Sequence, residues 1–387
     1  MISISTDRVA RDLAKDFAWC GIALSSPKGR QISLRTQPEI HADSDGLFRC
    51  ASISKWVTGQ TAARGLIGKF GETAGNIPIE ELLGFFFRHP KAPDHPVTVG
   101  EVASHSAGLT DEGGYLVPFH VPLQDWLAEQ GGVVWAKRLP GQAFEYCNLG
   151  YVLLAAATET AIGESFDLLA QRLVLGPIGV RAGFNWSGLA PAERAPALPL
   201  YRKTKDGFAA QIDTSVAPNG PVGPDGKEIA VDGGVAGQHL SRFSPQGGLR
   251  VSMSGLLQLA EALPNGVNSM LWRAPVGRLQ RPDDVFGDYG WGLMSLDNPA
   301  IYRRPLIGHF AIAYGFLGGI WWDEARQAAI AYGLNGLPEG DDSDDLHPEE
   351  AQIFAAVEDR RELSEAFLQH SATCYKYVNR LVGRGTC

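Results

Sequence analysis

The chain has 387 residues, 44% hydrophobic and 20% charged, with a formal net charge of -9 at pH 7. That length supports a sizeable core and two lobes rather than one compact unit, and the composition excludes a disordered chain. Its acid excess, with 34 basic residues scattered along the chain, argues against nucleic acid or an anionic membrane as partner and for a small, uncharged or weakly charged molecule.

The first residues, MISISTDRVARDLAKDF, are interrupted by charges and lack the apolar stretch of a secretory signal. No apolar run approaches the ~20 residues that span a bilayer. The expectation is a soluble cytoplasmic protein without membrane contact.

In chain order, residues 5–16 have amphipathic helical spacing. FAWCGIAL (17–24) reads as a buried strand, 26–29 as a turn and RQISLRT (30–36) as the return strand. Residues 52–70 are spaced as a helix with Ile53, Val57, Ala62, Leu66 and Ile67 inward, and Gly71 suits its C-cap. Helices are also expected within 98–106, 151–161, 165–174 and 252–263. The stretch 200–248 is rich in Gly, Pro and Asp, as the irregular wall of a substrate cleft would be. From about residue 288 the runs YGWGLM, PLIGHFAIAYGFLGGIWWD and AAIAYGLN predict three antiparallel strands, followed by one or two helices over 349–382. The acidic run at 339–345 lacks EF-hand spacing and reads as a solvated loop.

This order predicts an α/β (α+β) fold: an antiparallel sheet flanked by helices and built from both chain ends. Residues 1–66 with 238–387 would form that lobe, and a mostly helical lobe, 67–237, would be inserted into it. The cysteines are Cys20, Cys50, Cys147, Cys374 and Cys387, an odd set without a CxxC pair. They predict buried thiols rather than a disulfide framework or zinc site. A disulfide between Cys50 and Cys147 is left open, because both flank candidate site residues. No metal or cofactor is expected, since HExxH, P-loop and GxGxxG patterns are absent.

The chemistry centres on Ser52-Ile53-Ser54-Lys55. Residues three apart on a helix share a face, so Lys55 can reach the Ser52 hydroxyl. A serine is a poor nucleophile until a neighbouring base takes its proton, and lysine serves as that base only where its surroundings disfavour the ammonium. A helix start contributes a partial positive charge that opposes the ammonium and favours an oxyanion. The pattern alone is cheap, with about one match expected by chance in such a chain. A second copy, Ser25 to Lys28, falls in a turn where Pro27 blocks the helical arrangement. Downstream, Tyr146-Cys147-Asn148 supplies a phenol able to relay a proton and an amide able to hold the lysine and a substrate carbonyl. Its rival, Tyr377-Val378-Asn379, has nothing after it to complete a site.

Taken together, these segments resemble the class C β-lactamase and family VIII esterase group of the penicillin-binding superfamily. Phe48-Arg49-Cys50-Ala51-Ser52-Ile53-Ser54-Lys55 resembles the group's nucleophile segment. Ser104 to Leu109 resembles its helix-ending turn, and Tyr146 to Tyr151 its tyrosine motif. Gly247 to Leu249 is similar to its small-small-Leu element, and Tyr289 to Leu293 to the strand before its third motif. The third motif departs from the group: Gly308-His309-Phe310-Ala311 carries His309 for lysine and Ala311 for glycine. Lys69-Phe70-Gly71 and Lys205-Asp206-Gly207 come too early to replace it. A methyl at Ala311 would crowd the strand edge, and a histidine weakens a fixed charge for a substrate carboxylate.

The resemblance implies a serine hydrolase with Ser52, Lys55 and Tyr146 catalytic, and Asn148, His309 and Ala311 binding substrate. An ester, lactone or amide would be cleaved through an acyl-enzyme, most in the manner of a carboxylesterase. β-Lactamase or D-amino-acid peptidase activity, a penicillin-binding sensor without turnover and a degenerate scaffold are the alternatives. Ser106 approximates a lipase elbow, but its segment ends a helix and does not follow a strand.

Overall fold

The computed structural model describes residues 4–40, 44–118, 121–190, 197–211, 244–277, 284–341 and 346–358. Helix α1 (Ile4–Leu13) leads into the expected hairpin of β1 (Trp19–Ser26) and β2 (Gly29–Thr36), where Ser26 lies opposite Gly29 across Pro27-Lys28. The discarded Ser25–Lys28 match is therefore a strand end and its turn. Strand β3 (Phe48–Arg49) and a 3-10 turn at Ala51–Ile53 precede α2 (Ser54–Phe70). Gly71 closes α2 at φ 80, where a side chain would be strained.

Further helices lie at Val99–Ala103, Asn148–Ile162, Phe166–Ala170 and Met253–Ala262. The first is shorter than its spacing predicts because the backbone reverses at His105, φ 58. Strands β4 (Ala182–Phe184), β5 (Tyr201–Thr204), β6 (Gly207–Ala210) and β7 (Leu249–Val251) come from the middle of the chain. Strands β5 and β6 make a hairpin, so the stretch expected to be irregular begins in regular structure. Residues 212–243 of that stretch, 342–345 of the acidic run, the helix expected beyond Val357, and Cys374 and Cys387 lie outside the described residues.

Among the described residues the C-terminal third holds five strands rather than three: β8 (Tyr289–Gly290), β9 (Leu293–Leu296), β10 (Leu306–Ala313), β11 (Phe316–Asp323) and β12 (Ala328–Asn335). The two undercounted connections are two-residue turns, Trp291-Gly292 and Tyr314-Gly315, in which both residues have positive φ. Such turns normally begin with Asn, Asp or Gly. With an aromatic residue in that place, the pattern reads as uninterrupted strand.

One antiparallel sheet results, in the order β2-β1-β12-β11-β10-β9-β8, with β1 from the N-terminal part of the chain lying against β12 from its C-terminal part. Both faces are covered. Side chains alternate along a strand, so Tyr332 and Gly333 face opposite ways. On the Tyr332 face sits the helix Pro348–Val357, whose Glu350 Oε1 accepts the Tyr332 hydroxyl at 2.5 Å. On the other, the helix Met253–Ala262 approaches so closely that a Cβ at Gly21 would lie 2.8 Å from Met253 Sδ. Coverage on both faces explains why β1, β11 and β12 read as continuous apolar runs instead of alternating ones. Cys20, Cys50 and Cys147 are buried and free, so no disulfide joins the last two. No helix among the described residues is long and apolar enough to cross a membrane.

Candidate active site

The candidate nucleophile sits where a strand turns sharply into a helix. Strand β3 pairs with β7, and Cys50 N–H extends the ladder to Leu249 O at 3.0 Å. Ala51 then takes φ 47, a left-handed conformation that costs an L-residue about 1–2 kcal/mol. Three contacts hold the bend in place. Arg49 Nε donates to Gly247 O at 2.8 Å, its guanidinium stacks 4.3 Å from the Tyr314 ring centre, and Ser54 Oγ accepts Leu249 N–H at 3.0 Å. Ala51 and Ile53 are buried, while Ser52 between them remains partly exposed.

Lys55 lies one turn along and is fully buried. Its Nζ is 3.0 Å from Ser52 Oγ, 2.7 Å from Asn148 Oδ1 and 3.0 Å from Gln246 O. Two of these acceptors are carbonyls with no proton to give. An ammonium satisfies all three; after losing one proton the amine keeps its bonds to both carbonyls and turns its lone pair to the serine hydroxyl. Thr58 Oγ donates to Pro245 O at 2.7 Å and keeps the Gln246 segment against α2. On the other side of α2 the Trp291-Gly292 turn touches its backbone. A Cβ at Gly292, φ +75, would lie 2.1 Å from Lys55 O.

Tyr146 presents its ring to the lysine, with Nζ 4.7 Å from the ring centre, and its hydroxyl is buried. The ring also meets His105 at 4.5 Å, Phe286 at 5.3 Å and His309 at 6.3 Å between centres. Of the two imidazoles, that of His105 is neutral by its hydrogen bonds. His105 Nδ1 accepts Cys147 N–H at 3.1 Å. His309 Nδ1 lies 2.5 Å from Phe310 O and donates to it, and Nε2 is 2.7 Å from the Tyr289 hydroxyl. Burial, and then the nearby Lys55 charge, push the His309 pKa down to about 3 and that of His105 well below the ordinary imidazole range.

The Beta-lactamase family model matches residues 27–353 of this chain. The chain belongs to the β-lactamase family. Among curated proteins it is similar to the D-alanyl-D-alanine-carboxypeptidase/endopeptidase AmpH of Escherichia coli strain K12. Identity is 26% over 188 residues, 45% of this chain and 48% of that protein, so the match spans about half of the relative's length. Among solved structures, the D-amino acid amidase from Ochrobactrum anthropi SV3 complexed with L-phenylalanine superposes with a TM-score of 0.67. It is 17% identical, with 93% of this chain and 99% of that one covered. The β-lactamase/D-alanine carboxypeptidase from Yersinia pestis complexed with citrate gives 0.64 at 15% identity, covering 92% and 99%.

Within this β-lactamase-family fold the sequence-predicted residues divide into two sets. Ser52, Lys55, Tyr146 and Asn148 come together. His309 and Ala311, expected to meet substrate, are both fully buried on β10. His309 is bonded to Tyr289, and Ala311 lies in the apolar core. What β10 can offer is main chain. Its pairing with β9 covers only Leu306 to Gly308, and the strand then passes along the Ala51–Ile53 turn. Ser106 is a buried turn residue bonded to Ser104. Sequence reasoning missed Asp111, whose carboxylate holds Asn148, and the Gln246 carbonyl on Lys55. Neither has a spacing signal, since both meet their partners only through the tertiary fold.

Proposed function

We propose that the protein cleaves neutral esters or amides through an acyl-enzyme on Ser52, with carboxylesterase-like substrates preferred. The carrying observation is that Lys55 Nζ lies 3.0 Å from Ser52 Oγ while the carbonyl oxygens of Asn148 and Gln246 hold it in place, so that the amine, once neutral, faces the serine hydroxyl with its lone pair. Lys55 takes the hydroxyl proton as Oγ bonds to the carbonyl carbon. Backbone N–H groups of Ser52 and of β10 near Ala311 receive the oxyanion. Tyr146 hands a proton to the leaving group, and the carbonyl–heteroatom bond breaks. Water then adds to the acyl carbon, gives up its proton through the same groups and releases the acid with Ser52 restored.

Two features favour neutral substrates. The third-motif side chain is an uncharged, buried imidazole and offers no cation for a carboxylate. The neighbourhood of Tyr146 is aromatic: Phe286 lies 5.0 Å from Phe310 and 5.5 Å from Phe144, which lies 4.9 Å from Trp272. A second reading, amide cleavage next to a D-amino acid, is favoured by the named activities of the similar proteins. Wild type and Ser52→Ala are to be compared with a fluorophosphonate probe, nitrophenyl esters of graded acyl length, D-phenylalanine amide and a chromogenic cephalosporin. Labelling at Ser52 with steady ester turnover, lost in Ser52→Ala, is the expected result. Preferential turnover of D-phenylalanine amide selects the second reading. A single burst without turnover indicates a sensor, and no labelling a degenerate scaffold.

A further inference from the structure

The helix Asn148–Ile162 starts without a local cap: its N-cap residue, Cys147, makes no side-chain bond to the first turn. Asp111, which belongs to the loop after the His105 turn, supplies the missing acceptors. Oδ2 accepts Asn148 N–H at 2.9 Å and Oδ1 accepts Leu149 N–H at 3.0 Å. Those bonds satisfy free donors at a helix start, where a carboxylate is also favoured by the dipole. The same carboxylate accepts the Cys147 thiol at 3.1 Å and the Asn148 side-chain Nδ2 at 2.8 Å.

This last bond goes beyond capping. The Asn148 amide has a donor end and an acceptor end, and its two neighbours are opposite in kind. Asp111 Oδ2 can only accept, and Lys55 Nζ, 2.7 Å from Asn148 Oδ1, donates. Turning the amide over would set its NH2 against the lysine and its oxygen against the carboxylate, losing two charge-assisted bonds at once. We propose that Asp111 is a positioning residue, which holds the Asn148 amide in the one orientation that presents its carbonyl to Lys55 and so aims the lysine at Ser52. The inference rests on the reading of Ser52 and Lys55 given above. Asp111 does not touch the reacting atoms; it acts through Asn148.

A cap and a positioning residue differ in what their loss does when Asn148 is already gone. Asp111→Ala, Asn148→Ala and the double variant are compared by ester turnover and by the rate of fluorophosphonate labelling. Asp111→Ser, which keeps a short acceptor, stands in should the alanine variant fail to fold. Asp111→Ala is expected to lower kcat roughly 10- to 100-fold with KM within about 3-fold, the size of effect a misplaced catalytic group produces. Labelling slows in parallel. In the Asn148→Ala background, removing Asp111 lowers kcat by no more than about 2-fold, because the group it positions is absent. If the two losses multiply in full, or if folded Asp111 variants keep wild-type kcat, the positioning role is overturned while the Ser52 reading stands. If wild type itself is not labelled at Ser52, the reading of the site fails and the inference falls with it.

Discussion

Replacing the buried imidazole of His309 should change how stability depends on pH. In the folded protein this ring stays neutral down to about pH 3, held there by burial and by the Lys55 charge. In the unfolded chain it takes up a proton near the ordinary value of about 6.5. The folded pKa is the lower one, so the unfolded state binds more protons between those limits. Stability is unaffected well above pH 6.5 and falls as pH drops through the window towards 3. Between pH 7 and pH 5 the loss from this one ring is about 2 kcal/mol. His309→Gln keeps an acceptor for the Tyr289 hydroxyl and removes the titration. Urea unfolding of both proteins at pH 7 and pH 5 reads the difference, to which His105 adds only what His309 contributes to its own lowered pKa. With an m-value of about 3 kcal/mol/M, the wild-type midpoint should fall by about 0.7 M more than that of the variant. Equal falls would refute the claim that His309 is buried in its neutral form.

Gly292→Ala forces a Cβ to within 2.1 Å of Lys55 O at φ +75, so it should cost roughly 3 kcal/mol or more in urea unfolding and depress ester turnover with it. Tyr146→Phe keeps the ring over Lys55 but removes the proton carrier. We expect kcat to fall about 10²- to 10⁴-fold at nearly unchanged stability, and a loss under 3-fold would remove Tyr146 from the mechanism. Burial pushes the Cys50 thiol up to about 12 and raises those of Cys20 and Cys147 as well. Iodoacetamide at pH 8 should therefore modify these three positions only in denaturant, as peptide mass spectrometry can read, and native labelling of Cys50 would contradict its burial.

Ser52 and Lys55 are legible in the sequence because one helical turn joins them, so spacing alone fixes their approach. The bend before them is less legible: Ala51 adopts φ 47 with no glycine to announce it. Tyr146 and Asn148 could be singled out from their decoy only by the order of neighbouring motifs. The sheet was legible as apolar runs, yet the same runs concealed two hairpin turns, because Trp291 and Tyr314 occupy places where a turn residue is expected. His309 was placed on its strand, while its burial had no signal in the pattern. Coverage on both sheet faces removes the alternation that would distinguish an inward from an outward side chain.

What aims the lysine was the least legible part, and the reason is chemical. Lys55 is held by a main-chain carbonyl 191 residues away and by an amide whose orientation depends on a carboxylate 37 residues from it. Any residue can supply a main-chain carbonyl, so no side-chain pattern could have marked Gln246. Asp111 does carry a distinctive side chain, but acidic residues are common and its distance from Asn148 is set by how the two loops fold. A Ser-x-x-Lys match therefore signals competence only where other segments bring acceptors to the amine. The copy at Ser25 to Lys28 illustrates the converse. There the serine is the penultimate residue of β1 and the lysine sits exposed in the turn.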